Sequence, residues 1–268
     1  LQKYHPGVTL MWAGSAGAKI ISYWAERKGI SLVAGDDVGV IFHLDFVQKF
    51  LVVLTISLTT SFLFYALKKA LNLRYAVLAV LLLSLEPFYL GLTRMFHLEG
   101  MVSTFMLASV VWMHYYFLDI KNKKRLIISG VFAGFALLTK TSALFLVPFY
   151  GLSSFMYLFR NGKYKLLLKE RPLINFSHFF RLVKDFSVVF FPWLLVSISV
   201  FFVFWPAMWV IPFKVIQTLY AGIADIGVEG DHVQFYFGEL VEDPGPSFYF
   251  VVLGLRSSIY LLIGFIGA

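Results

Sequence analysis

LIISGVFAGFALLTKTSALFLVPFYGLSSFMYLF, residues 126–159, holds a single charge, Lys140, between two basic flanks. Lys121, Lys123, Lys124 and Arg125 precede it, and Arg160, Lys163 and Lys165 follow. As one helix the run would be about 50 Å long at roughly 1.5 Å per residue, against a hydrocarbon layer of about 30 Å. Basic residues collect on the cytoplasmic side of a membrane, so two basic flanks require an even number of crossings. The run therefore reads as two short or tilted helices that turn near Lys140-Thr141-Ser142.

Working outward from this pair, further apolar stretches of spanning length are Phe46–Leu67, Tyr75–Leu92, Glu99–Leu118, Ser187–Ile211 and Phe248–Ala268. The sum is about seven spans at roughly 20 residues each, and the fold class is an all-α integral membrane protein, a multi-pass helical bundle. Composition agrees: 59% of the 268 residues are hydrophobic and 14% are charged, whereas soluble domains keep roughly a quarter charged. The abundant Phe, including 30 residues, suits packing between helices in lipid. With no cysteine, disulfides, thiolate metal sites and cysteine nucleophiles are excluded.

Charge then orients the bundle. Lys68, Lys69 and Arg74 fall on one side with the 121–125 cluster and the basic 160–184 loop. Asp36, Asp37 and Asp45 fall on the other, with a long loop holding Asp225, Glu229, Asp231, Glu239, Glu242 and Asp243. The basic side reads as cytoplasmic, so the net charge of +8 records topology. Nucleic-acid binding would need a basic groove with stacking aromatics, and none is visible. Residues 1–268 read as one polytopic unit, truncated at both ends because it opens at Leu1 and stops in an apolar run. Residues 1–45 form a first outer loop with an amphipathic helix over Leu10–Trp24. Six spans occupy 46–211, an outer loop 212–247 and a last span 248–268. The 161–185 loop reads as a solvated connector, with a short interfacial helix as the alternative.

Ionisable residues at membrane depth are costly, so those present point to function. On the outer face they fall in four groups. The first is Tyr4-His5-Pro6-Gly7-Val8-Thr9; the second is Glu86-Pro87 with Arg94, His97 and Glu99; the third is Lys140. The fourth joins His232 and Tyr236 of the late outer loop with Arg256. Each has a plain structural reading. Arg94 and Lys140 would snorkel, Glu99 would sit at a favourable helix N-terminus, and Glu86 would satisfy backbone donors freed by a kink at Pro87. Together, an Arg, a Lys, two His and an acid on one face suit an anionic lipid-linked substrate.

The ordered residues Ser84-Leu85-Glu86-Pro87-Phe88-Tyr89-Leu90 and Thr93-Arg94-Met95-Phe96-His97-Leu98-Glu99 resemble a pattern of the protein O-mannosyltransferase and lipid A aminoarabinose transferase superfamily. There it runs Asp-Pro-Phe, then Ser-Arg, then an acid opening the next helix. Tyr4-His5-Pro6-Gly7-Val8 is similar to that superfamily's His-Pro-Pro-Leu segment, and Leu137-Leu138-Thr139-Lys140 to its Leu-Thr-Lys turn. Phe235-Tyr236-Phe237-Gly238 with Asp243-Pro244-Gly245 and Phe248-Tyr249 resembles a later outer-loop pattern. Glu86 and Glu99 stand where the family usually has Asp.

The resemblance implies a GT-C-like bundle that transfers sugar from a polyprenyl-phosphate donor to a protein, lipid or glycan hydroxyl on the extracytoplasmic face. The membrane would be a prokaryotic plasma membrane or the endoplasmic reticulum. Sugar transfer passes through an oxocarbenium-like state. It needs a base for the acceptor hydroxyl and fixed cations for the departing phosphate. By resemblance the principal base lies upstream of Leu1, and Glu99 is the second acid. Arg94 and Lys140 face the donor phosphate, and Tyr4, His5, His97, His232 and Tyr236 contact substrate. No cofactor is named. A divalent metal on His5, His97, Glu99 and His232 stays open, without close ligand spacing. The alternatives are a polytopic transporter or a non-catalytic member of the fold.

Overall fold

The structure, a computed structural model, describes residues 5–30, 38–160, 176–228 and 233–267. Of the residues singled out above, Tyr4, Asp36, Asp37, Lys163, Lys165, Glu229, Asp231 and His232 lie outside them. Among the described residues the chain runs α1 (Val8–Lys28), α2 (Val38–Ala70), α3 (Leu73–Leu85), α4 (Pro87–Thr93), α5 (Leu98–Leu118), α6 (Lys123–Thr139) and α7 (Leu146–Arg160). There follow α8 (Phe176–Val203), α9 (Ala207–Val210), α10 (Pro212–Val228), a hairpin of β1 (Gln234–Tyr236) and β2 (Glu239–Val241), α11 (Ser247–Arg256) and α12 (Ile259–Gly267).

The 126–159 run divides as its flanks require. α6 ends at Thr139, Lys140 is extended at φ −151° and ψ 143°, and a 3₁₀ turn over Thr141–Phe145 leads into α7. Pro148 falls in the first turn of α7, where a missing N–H costs no helical hydrogen bond.

Around this pair the bundle is built on α5. Half of its spanning window is buried, against 28%, 22% and 17% for α2, α7 and α8. α5 lies between α2 and α6, and α6 lies between α5 and α8. Lipid tails and helices are equally apolar, so association depends on close packing and polar links. Ser109 Oγ donates to Ser129 O at 2.9 Å and Ser129 Oγ to Ser109 O at 2.8 Å, joining α5 to α6 at mid-depth. Trp193 Nε1 of α8 donates to the Ser129 hydroxyl at 3.1 Å, and its ring stacks on Tyr150 of α7 at 4.2 Å. α8 approaches α6 so closely that a Cβ at Gly134 would lie 2.5 Å from Val200 Cβ. Outward, Phe62, Phe191, Leu195 and many other large apolar side chains stay exposed, as lipid contact demands.

Among the described residues, four helices are long and apolar enough to cross a membrane, or six if each bent pair counts as one span. The difference from about seven has local causes. α6, at 17 residues, is about 25 Å long. The expected span Tyr75–Leu92 is two helices bent by 70° at Glu86-Pro87. The expected single span Phe248–Ala268 is α11 and α12, bent by 119°, so it is not one straight crossing. The expected Ser187–Ile211 span starts earlier, at Phe176, and stops at Val203 before the Trp205-Pro206 break. Of the 161–185 loop, residues 161–175 lie outside the described residues and 176–185 belong to α8.

Basic residues of the 121–125 turn pack onto the end of α5. Lys123 and Arg125 meet the Tyr116 hydroxyl and the Tyr115 carbonyl at the α5–α6 turn. Tyr157 of α7 stacks on Phe117 at the same end. At the opposite end, α1 lies against α2, with Gln48 Nε2 donating to Gly14 O at 3.2 Å. The amphipathic stretch expected at Leu10–Trp24 is this longer helix. It buries Val8, Gly17, Ile21 and Ala25, while Met11, Trp12, Ile20 and Tyr23 are exposed beside Lys19. Its unburied face is thus largely apolar too.

Candidate functional site

Antiparallel packing of α5 and α6 sets the N-terminus of one beside the C-terminus of the other. His97 caps α5, its Nδ1 accepting from Glu99 N at 3.4 Å. The Glu99 carboxylate then pairs with the Lys140 ammonium. Side-chain exposures of 35% for Glu99 and 21% for Lys140 leave the pair reachable from the surface. Such a half-open pair contributes about 1 kcal/mol or less to folding, so stability alone gives weak reason to hold two ionised groups there.

The N-terminal segment seats on the same turn. Gly7 N donates to Thr139 O at 3.1 Å, and the Thr9 and Thr139 hydroxyls meet at 2.8 Å. His5 Nδ1 lies 3.0 Å from Thr141 Oγ1. Gly7 takes φ 62° to turn the chain from this contact into α1, a conformation that costs other residues roughly 1–2 kcal/mol. The His-Pro-Gly segment thus meets Thr139 and Thr141, the residues on either side of Lys140, although the two segments are distant in sequence. Thr9, Thr139 and Thr141 make the junction. Sequence reasoning did not single out their side chains, because a threonine near a helix end gives no signal of a partner elsewhere in the chain.

Arg94, Glu86 and Tyr236 make no hydrogen bond or ion pair with the Glu99 or Lys140 side chains. Arg94 caps the C-terminus of α4, exposed, and forms no ion pair among the described residues. Glu86 is 6% exposed at the bend, its Oε2 accepting from Tyr89 N at 2.6 Å. Tyr236 belongs to the hairpin, whose Phe237-Gly238 turn has φ of 50° and 93°. Its hydroxyl meets Ser247 Oγ at 3.1 Å and its ring meets Phe248. No contact with Glu99 or Lys140 brings Tyr236 into the pair. Tyr4 and His232 lie outside the described residues. Among the described residues, no three His, Asp or Glu gather as a metal set.

A groove of about 480 Å³ runs between α1, α2, α5 and α6, and neither Glu99 nor Lys140 lines it. Thr9, Met101 and Leu138 line it, each close in sequence to the junction or to the ion pair. Phe62, Phe105, Phe132 and Phe135 continue the apolar wall.

Residues 40–180, more than half of the chain, match the family described as dolichyl-phosphate-mannose-protein mannosyltransferase. The matched part includes Glu86, Arg94, His97, Glu99 and Lys140. No curated protein and no solved structure matches the chain. With an apolar helical bundle and this family match in hand, the chain belongs to the dolichyl-phosphate-mannose-protein mannosyltransferase family, a family of membrane glycosyltransferases.

Proposed function

We propose that this protein transfers mannose from dolichyl-phosphate-mannose to a protein hydroxyl, at the end of the bundle that carries Glu99 and Lys140. The observation behind the reading is the Glu99–Lys140 ion pair itself; Met101 and Leu138, two residues along the same helices, line an apolar groove. A donor of this class has one phosphate on a long hydrocarbon tail. The groove offers the tail Phe-rich walls, and Lys140 offers the phosphate a fixed cation. When phosphate arrives it replaces the Glu99 carboxylate as the partner of Lys140. That frees Glu99 to hold a sugar or acceptor hydroxyl. A cation already in place needs no reorganisation as charge develops on the departing phosphate. Arg94, exposed five residues before Glu99, supplies a second cation, and His5 and His97 donate to phosphate or sugar. The charge pattern of the turns supports reading this face as the one outside the cytoplasm.

Purified protein in lipid vesicles, offered a serine- and threonine-containing peptide, is expected to mannosylate it from dolichyl-phosphate-mannose and not from GDP-mannose. Transfer from the nucleotide sugar, or no transfer from the lipid donor, overturns the reading.

A further inference from the structure

The bend in the second span lies outside the ion pair, yet polar contacts connect the two. Pro87 opens α4 and cannot continue α3, so the first turn of α4 has backbone donors to satisfy. In lipid those donors cannot turn to water. Glu86 answers the need: its Oε2 accepts from Tyr89 N at 2.6 Å, and its backbone carbonyl accepts from Leu90 N at 2.8 Å. Seven residues are too few to hold a helix alone, so α4 depends on this cap and on what it packs against.

Tyr89 also carries the connection onward. Its hydroxyl lies 2.6 Å from Thr104 Oγ1, and Thr104, itself donating to Gly100 O at 2.6 Å, is buried in α5. Gly100 is the residue after Glu99. It packs so tightly on α4 that a Cβ there would lie 2.8 Å from Leu92 O and 2.9 Å from Thr93 Cα. The capped helix therefore sits against the turn that presents the Glu99 carboxylate.

We propose that Glu86 is a positioning residue for the transferase site: it holds the bend between α3 and α4, and through Tyr89, Thr104 and Gly100 that bend sets where Glu99 meets Lys140. The proposal rests on the reading of Glu99 as a site acid. A cap of no wider consequence would not require a buried carboxylate, since Ser, Thr, Asn and Asp are the usual N-caps. Here the longer side chain bridges a 70° break.

The test uses the intact protein in vesicles. Spin labels go at exposed Tyr75→Cys and Met95→Cys, on either side of the bend, and residues 1–268 hold no other cysteine. Glu86→Leu is expected to lengthen or broaden the label distance. It should lower kcat about tenfold or more, because small misplacements in a site are expensive, with the donor KM within about twofold on that same account. Glu86→Gln keeps the accepting oxygen and is expected to restore both the distance and most of kcat. Tyr89→Phe keeps the cap and loses the hydroxyl's links to Thr104 and Thr60. It serves if Glu86→Leu does not fold, with an expected kcat loss of roughly three- to tenfold and the label distance unchanged. Wild-type turnover in Tyr89→Phe overturns the link. Glu86→Gln as inactive as Glu86→Leu, with unchanged distances, overturns positioning and makes the charge itself the requirement. An unchanged distance in Glu86→Leu overturns the hinge even if the wild type transfers no mannose, a result that would separately sink the proposed function.

Discussion

Lys140 sits where α6 ends, with Glu99 on one side and the His5–Thr141 contact on the other. Its value to folding is small because the pair is half-open, so its substitution separates chemistry from structure. Lys140→Met keeps length and apolar stem. It is expected to lower kcat/KM for the lipid donor about 10²-fold, the usual loss when one fixed charge-stabilising group is removed. Lys140→Arg should recover part of that loss. Glu99→Gln should lose turnover too, and the double variant should lose less than the two singles combined, because the groups face each other. Steady-state kinetics alongside thermal unfolding checks this. Near wild-type turnover with a lowered unfolding midpoint would return the pair to a structural role.

Helix packing is the next scale, and here small residues decide. Gly134 leaves room for Val200 and Ser197 of α8, and Gly130 does the same for Val196. Gly134→Ala would force a methyl into backbone and branched side chain that cannot swing away, at about 1–3 kcal/mol of overpacking. Thermal unfolding in detergent should show a lower midpoint for Gly134→Ala and none for Gly264→Ala, whose added Cβ meets nothing within 4 Å. Equal midpoints would mean that α6 and α8 pack more loosely than described. The same scale explains why two expected spans differ from straight crossings. Hydropathy averages over about twenty residues and is blind to a Pro87 or a Ser257-Ser258 that turns the axis between two apolar halves.

For the whole molecule the prediction concerns sidedness. The structure sets the Glu99–Lys140 end and the 121–125 turn at opposite ends of α5 and α6, but which end faces the cytoplasm rests on charge counting. Single cysteines at exposed Glu239 and Lys124 should react oppositely with a membrane-impermeant thiol reagent in intact cells, Glu239→Cys labelled and Lys124→Cys protected. The reverse pattern would place the site on the cytoplasmic face and contradict the proposed orientation.

Much of the fold was legible because lipid acts on local sums of residues. A span must be apolar for about twenty residues, and basic turns stay on one side. These constraints divide 126–159 at Lys140 and carry the helical bundle without reference to any contact. The site was legible only as parts. Glu99 and Lys140 could be named as unusual at their depth, as could His5 in its segment. That they form one place depends on α5 packing against α6 through Ser109 and Ser129, and on α1 entering through Gly7 and the Thr139 and Thr141 hydroxyls. Those contacts join residues far apart in the chain. Because lipid and neighbouring helix are equally apolar, no hydrophobic period records which face meets which. Sequence alone determined the solvent, the order of the helices and the unusual charges. Only the tertiary structure decided their partners, because that choice is made by close steric fit and single hydrogen bonds.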